Sequence, residues 1–159
     1  MDTNQLEIIA YNDSLAGAFK QLNEAWLQKY FEIEPIDVKM LGNPKQYFID
    51  KGGHIFFAKA GDKIAGTFAL LKESESVYEL SKMAVDESFQ GKKIGNRLME
   101  FAIIKATELK AAKIILYSNT RLAPAIHLYR KYGFTEVPVV SSDYKRCNIK
   151  MELIIQKEK

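Results

Sequence analysis

The chain has 159 residues, 47% of them hydrophobic and 27% charged, with a formal net charge of +3. That length fits one domain able to bury a sizeable core, and the composition excludes a disordered chain. No apolar run approaches the ~18 residues of a membrane span, the lysines and arginines are scattered rather than gathered into a nucleic-acid footprint, and a single cysteine, Cys147, rules out an internal disulfide.

In chain order, Met1 to Asn4 lacks the basic-then-apolar layout of a signal peptide, so the cytosol is the expected compartment. Leu6 to Tyr11 reads as a strand. Leu15, Phe19, Leu22, Trp26 and Tyr30 form the apolar stripe of an amphipathic helix. A polar stretch from Glu32 to Asn43 has room for a short second helix, and Pro44 to Lys51 for another turn or two. After Gly52-Gly53, His54 to Lys59 and Lys63 to Leu71 read as a hairpin turning at Gly61-Asp62, and Val77 to Val85 as a third strand. Gly91 to Leu109 turns helical, Lys113 to Ser118 is a compact strand, and Ala123 to Tyr132 is a short helix. Pro124 stands in the first turn of that helix and Gly133 at its left-handed cap. Phe134 to Val140 and Tyr144 to Ile155 read as closing strands joined by a Ser-Ser-Asp turn. The order implies an α+β fold, a mostly antiparallel sheet of about seven strands flanked by helices, with one parallel crossover in the middle.

The chemistry concentrates in Glu79-Leu-Ser-Lys-Met-Ala-Val-Asp-Glu-Ser-Phe-Gln-Gly-Lys-Lys-Ile-Gly-Asn-Arg-Leu98. A strand runs through a glycine-bearing loop into a helix. The first amides of a helix have no internal partner and the helix dipole is positive there, so the loop suits a phosphate. Lys92 and Lys93 add charge. The spacing is neither a Walker A loop nor Gly-x-Gly-x-x-Gly, and by itself it reads equally as a connection carrying solvated lysines.

This segment resembles the acetyl-CoA signature of the GNAT superfamily of N-acetyltransferases, whose loop reads Gln/Arg-x-x-Gly-x-Gly/Ala. Gln90 fills the first position and Gly95 the last, while Lys93 stands in place of the middle glycine. Residue 93 therefore either has an ordinary negative φ or tolerates a strained one, with Gly91 supplying some of the lost freedom. A second stretch, from Asn119 through Ala-Ile-His-Leu-Tyr129-Arg-Lys-Tyr-Gly-Phe134, resembles the family's later motif. Two motifs in the right order are more specific than either alone.

The resemblance implies a GNAT-like fold with a splayed central parallel pair and acetyl-CoA as cosubstrate. It places the pantetheine along the main chain of Met83, Ala84 and Val85, with the Met83 amide as donor to the thioester oxygen, although both Met83 and Val85 also read as core residues. It places the pyrophosphate on the N–H groups of Gly91, Lys92, Lys93, Ile94, Gly95 and Asn96, and further cofactor contacts at Gln90, Asn119 and Ala125. Tyr129 falls on the family's general acid, although periodicity alone reads it as packing, and Tyr132 is assigned to packing. Glu79 is the candidate base or else a solvated strand-end carboxylate; alternation puts Glu79, Ser81, Met83 and Val85 on one strand face. Trp26 to Asp37 and Val140 to Arg146 would build the acceptor pocket, where Glu32, Glu34 and Asp37 either attract a cationic amine or are simply solvated. His54 and His127 are isolated, no metal is expected, and Cys147 reads as a buried structural thiol. The expected function is acetyl transfer to a primary amine of a small molecule or protein by a monomer or homodimer without nucleic-acid or membrane partners. The alternative is a catalytically silent acyl-CoA-binding sensor or interaction module, for which the Lys93 departure is the argument.

Overall fold

The structure, a computed structural model, describes residues 6–140, 142 and 144–156. The polar start, Met1 to Asn4, and Ser141 and Asp143 of the expected Ser-Ser-Asp turn lie outside the described residues.

Among the described residues, seven strands form one mixed sheet: β1 (Leu6–Ala10), β2 (His54–Ala60), β3 (Lys63–Lys72), β4 (Val77–Val85), β5 (Lys113–Ser118), β6 (Thr135–Val137) and β7 (Ile149–Ile154), in spatial order β1-β2-β3-β4-β5-β7-β6. Every neighbouring pair is antiparallel except β4 and β5, which run parallel. The α-helices α1 (Ala16–Tyr30), α2 (Pro35–Gly42), α3 (Ile94–Glu108) and α4 (Ala123–Lys131) flank the sheet, and a π-helical turn covers Lys45–Ile49. Among the described residues, no helix is long and apolar enough to cross a membrane.

Two apolar cores lie on the two faces. Phe56, Phe68 and Leu70 pack with Ile94, Leu98 and Met99 of α3 on one face. Phe57 and Ala69 pack with Phe19 and Leu27 of α1 and Met40 of α2 on the other. The alternation of β2, Phe56 one way and Phe57 the other, is what permits both. α3 lies close against the sheet because Gly66 of β3 has no side chain. A Cβ there would come within 3.1 Å of the Ala84 carbonyl oxygen and 3.2 Å of Ile94 and Leu98.

The element order matches expectation, but three details differ. The buried face of α1 carries Phe19, Asn23 and Leu27; Leu22, Trp26 and Tyr30 of the expected stripe are only half-buried. The buried residues fall at i, i+4 and i+8, and a polar Asn23 hides the middle one from a hydropathy pattern. Its Nδ2 donates to the Phe19 carbonyl at 3.0 Å, which satisfies it. The closing strands are shorter than expected, and Tyr144 to Asn148 leave the sheet to wall a cavity. α3 begins at Ile94 rather than Gly91, because Gly91 and Lys93 both have positive φ, at 79° and 61°.

Candidate active site

β4 and β5 pair only at Val77↔Lys113, Tyr78↔Ile114 and Glu79↔Ile115. Beyond Glu79 they diverge. The gap opens into a cavity lined by Glu79 to Met83 on one side and Tyr117, Ser118 and Asn119 on the other, with Trp26 and Phe31 of the α1 end, Tyr129 of α4, and Tyr144, Arg146 and Cys147 completing its wall.

The divergence has a local cause. Between Thr67↔Ala84 and Ala69↔Ser81, two steps along β3 match three along β4, so β4 carries one extra residue. Lys82 takes the left-handed backbone of this bulge, at φ 57°. The bulge breaks the alternation assumed from the sequence. Met83 and Val85 pack on the α3 face with Tyr78 and Leu80, whereas Glu79 lies on the α1 face, where its charge acts on Lys82 and Tyr144. Glu79 is buried, 6% exposed, and so is not a solvated strand-end carboxylate.

The loop between β4 and α3 leaves a run of backbone amides unpaired among the described residues. Gly91 and Lys93 take left-handed conformations around Lys92, the alternation that turns successive N–H groups toward one concavity. Gly91 through Asn96 donate their amides to no acceptor among the described residues; the first amide of this run to find one is that of Arg97, bonded to the Lys93 carbonyl at 3.2 Å. Six consecutive amides at the positive end of a helix, beside exposed Lys92 and Lys93, are therefore left without a backbone acceptor among the described residues. Gln90 closes the preceding 3₁₀ turn, its amide donating to Glu87 at 3.2 Å. Lys93 thus holds the strained alternative of the two open from sequence, in a backbone that suits glycine. The left-handed form costs a non-glycine residue about 1–2 kcal/mol, and glycine adds about 0.5–1 kcal/mol of chain entropy. Lys93→Gly is expected to raise stability by up to about 1 kcal/mol and to leave acetyl-CoA affinity within about threefold; thermal unfolding and titration calorimetry check both.

α4 presents Tyr129 to the cavity, and Gly133 with φ 97° ends the helix as expected. Burial pushes the Tyr129 hydroxyl up to about 12, the nearby Cys147 adds to this, and a hydrogen bond with Ser118 opposes both. Burial likewise pushes the Cys147 thiol up, against the Arg146 charge. Tyr132 points away; its hydroxyl meets Glu100 at 3.0 Å and Asn96 Oδ1 at 3.2 Å, tying α4 to α3. The Asn96 Oδ1 belongs to that tie, also accepting from Lys131 at 2.9 Å. Asn119 lines the cavity, but its side chain is occupied in the chain: Nδ2 donates to the Arg146 carbonyl at 2.7 Å, and Oδ1 accepts from the Arg121 amide at 3.0 Å. Ala125 sits half-buried in the first turn of α4, outside the cavity wall.

Of the acidic residues considered for attracting an amine, Glu32 is exposed, and Glu34 and Asp37 are neutralised internally. Arg146 pairs with Glu34 at 3.0 Å and with both Asp37 oxygens at 2.8 and 3.0 Å, and Lys82 Nζ donates to Asp37 at 2.9 Å. Burial works against the Asp37 carboxylate, but the Arg146 hydrogen bonds, the Lys82 charge and the Glu34 amide outweigh it and hold its pKa below the ordinary value. The Val140 to Arg146 stretch expected to build the acceptor pocket does supply Tyr144 and Arg146 to the cavity wall. Sequence reasoning missed Lys82, for which a lysine in the middle of a strand was the available signal. Among the described residues, no group of three or more His, Cys, Asp or Glu could hold a metal ion.

The family model described as an acetyltransferase (GNAT) domain matches residues 51–136. The chain is 32% identical over 114 residues to the uncharacterized N-acetyltransferase YvbK of Bacillus subtilis (strain 168), covering 70% of this chain and 73% of that one. A GNAT-family acetyltransferase of Staphylococcus aureus Mu50 superposes with a TM-score of 0.84 at 22% identity, over 95% of this chain and 99% of that one. The spermidine N-acetyltransferase of Vibrio cholerae, in complex with CoA and spermine, gives 0.71 at 20% identity, over 95% and 96%. The chain belongs to the GNAT acetyltransferase family.

Proposed function

We propose that the protein transfers an acetyl group from acetyl-CoA to the primary amine of a small molecule or a protein, by direct attack in a ternary complex. The observation that carries this reading is the run of amides from Gly91 to Asn96 without an acceptor among the described residues, in the loop that follows β4 after it has parted from β5. Those amides would take the pyrophosphate, with Lys92 and Lys93 adding charge. The main chain of Met83, Ala84 and Val85 would pair with the pantetheine arm, bringing the thioester into the gap. There the Met83 amide would donate to the oxygen as negative charge develops on it.

The remaining steps are proton transfers. Glu79, at the narrow end of the gap, would accept a proton from the amine, directly or through water. As the C–N bond forms and the C–S bond breaks, Tyr129 would donate to the departing sulfur. Its hydroxyl stays protonated at every ordinary pH, which suits a donor. A silent domain loses its main support, because Lys93 leaves the loop backbone in the left-handed form a glycine would take.

Saturating acetyl-CoA is expected to raise the melting temperature. At a hundredfold excess over Kd, binding adds about 2.7 kcal/mol of stability. A thermal scan that shows no shift would remove the cosubstrate and with it this reading.

A further inference from the structure

Lys82 pays for a left-handed backbone at the point where β4 leaves β5, and its side chain does not reach solvent. Only 4% of that side chain is exposed; Nζ lies 2.9 Å from Asp37 Oδ1 and 4.5 Å from the centre of the Tyr144 ring. The Arg146 guanidinium stands 4.4 Å from the same ring. Between the two cations, the Asp37 side chain is fully buried and is held by Arg146 through both oxygens and by the Glu34 amide at 2.9 Å. Removing one charge of such a buried set leaves the others uncompensated, which is far costlier than losing an exposed pair.

We propose that Asp37 is a positioning residue for acetyl transfer: by holding the Lys82 ammonium it fixes the β4 bulge, and the bulge aims the Met83 amide into the gap between β4 and β5. This rests on the function proposed above. Asp37 is not part of the cavity wall and touches no substrate. Where a bulge residue must take the left-handed form, glycine is the usual choice, because it does so without steric cost. Here a lysine occupies it, at a cost of about 1–2 kcal/mol, so the conformation depends on where that side chain is anchored. The anchor lies on α2 and is itself gripped by Arg146, which lies between β6 and β7. The wall of the cavity on the α1 face and the amide donor on β4 are therefore one mechanical unit. Displacing a reacting group by about 1 Å can cost roughly 10²-fold in rate, so a small relaxation of the bulge is enough to be seen.

The test separates geometry from binding and from folding. Thiol release from acetyl-CoA is measured with spermidine and tyramine as probe amines and with water alone as the basal acceptor, and acetyl-CoA affinity by calorimetry. Asp37→Asn is expected to lower kcat about 10–100-fold while Kd for acetyl-CoA changes less than about threefold. In a Lys82→Gly background, where the bulge no longer needs an anchor, the same change at 37 is expected to cost less than about threefold. Lys82→Ala, strained and unanchored, is expected to be at least about tenfold slower than Lys82→Gly. Equal losses from Asp37→Asn in both backgrounds, or no loss per mole of folded protein, would overturn the proposal. If Asp37→Asn does not fold, the Ala and Gly variants at 82 decide alone, and equal rates overturn it. Absence of acetyl-CoA binding by the wild type would instead sink the functional reading on which it rests.

Discussion

Gly95→Asp is expected to abolish measurable acetyl-CoA binding, a loss of at least about 100-fold, in a protein that still folds. Gly95 is the second residue of α3 and one of the six unpartnered amides. A Cβ built there meets only the Leu128 side chain at 3.5 Å, an ordinary contact, so the chain has room for it. A carboxylate in the first helical turn is favourable to the helix itself, by about 0.3–1 kcal/mol, and replacing glycine removes a poor helix former. The melting temperature without ligand should therefore hold or rise. The same carboxylate stands beside the amides offered to the pyrophosphate and competes for them. Each charge-assisted hydrogen bond lost is worth about 1.5–3 kcal/mol, so losing one or two accounts for the effect before repulsion is added. Calorimetry on the folded variant decides: near-normal affinity would place the phosphates elsewhere.

Tyr129→Phe is expected to lower kcat and kcat/KM alike, by about 10–100-fold, with little change in acetyl-CoA affinity. General acids typically contribute about 10²–10⁴-fold. This case belongs at or below the low end, because a phenol held near 12 must protonate a thiolate whose own acid is near ~8.5. The ring keeps its packing against Phe134, at 6.1 Å between centroids, and loss of the hydroxyl removes one hydrogen bond with Ser118, about 1 kcal/mol. The pH dependence carries a sign. A phenol raised to about 12 is protonated, and able to donate, throughout the range in which rates are measured. The substitution should therefore lower the rate by the same factor across roughly pH 7–10 and leave the alkaline limb in place. A tyrosine at the ordinary value of about 10 would instead put its own ionisation into that limb. Rates within about a factor of two of wild type would remove Tyr129 from the reaction and leave the protons to Glu79 or water.

The two sites differ in how much of them the chain itself records. The loop from Gln90 to Asn96 is legible in the sequence, because helix-start amides and left-handed residues are local matters, decided within a few positions of chain. What the sequence left open there was the backbone at Lys93, and it takes the glycine-like form at 61°. Tyr129 is placed by its motif and by a helix bounded by Pro124 and Gly133. Its acidity is not legible, since that follows from burial among Ser118 and Cys147, which come from β5 and from the segment between β6 and β7.

Sequence by itself determined the order of elements, the β2–β3 hairpin at Gly61-Asp62, the short helix from Ala123, and the glycine-bearing loop that leads into α3. Each rests on periodicity, turn chemistry or capping, interactions that span at most a few residues. Only the tertiary structure decided that Asn23 rather than Leu22 joins the buried face of α1, and that Glu79 and Met83 face opposite sides of β4. It also decided that Asp37 is fully buried, with two cations on it, rather than open to an amine. The last of these outcomes turns on residues 37, 82 and 146, which come from α2, β4 and the segment between β6 and β7. A buried charge is tolerated only where its counter-charge arrives from elsewhere in the fold, and no local pattern in the chain records that meeting.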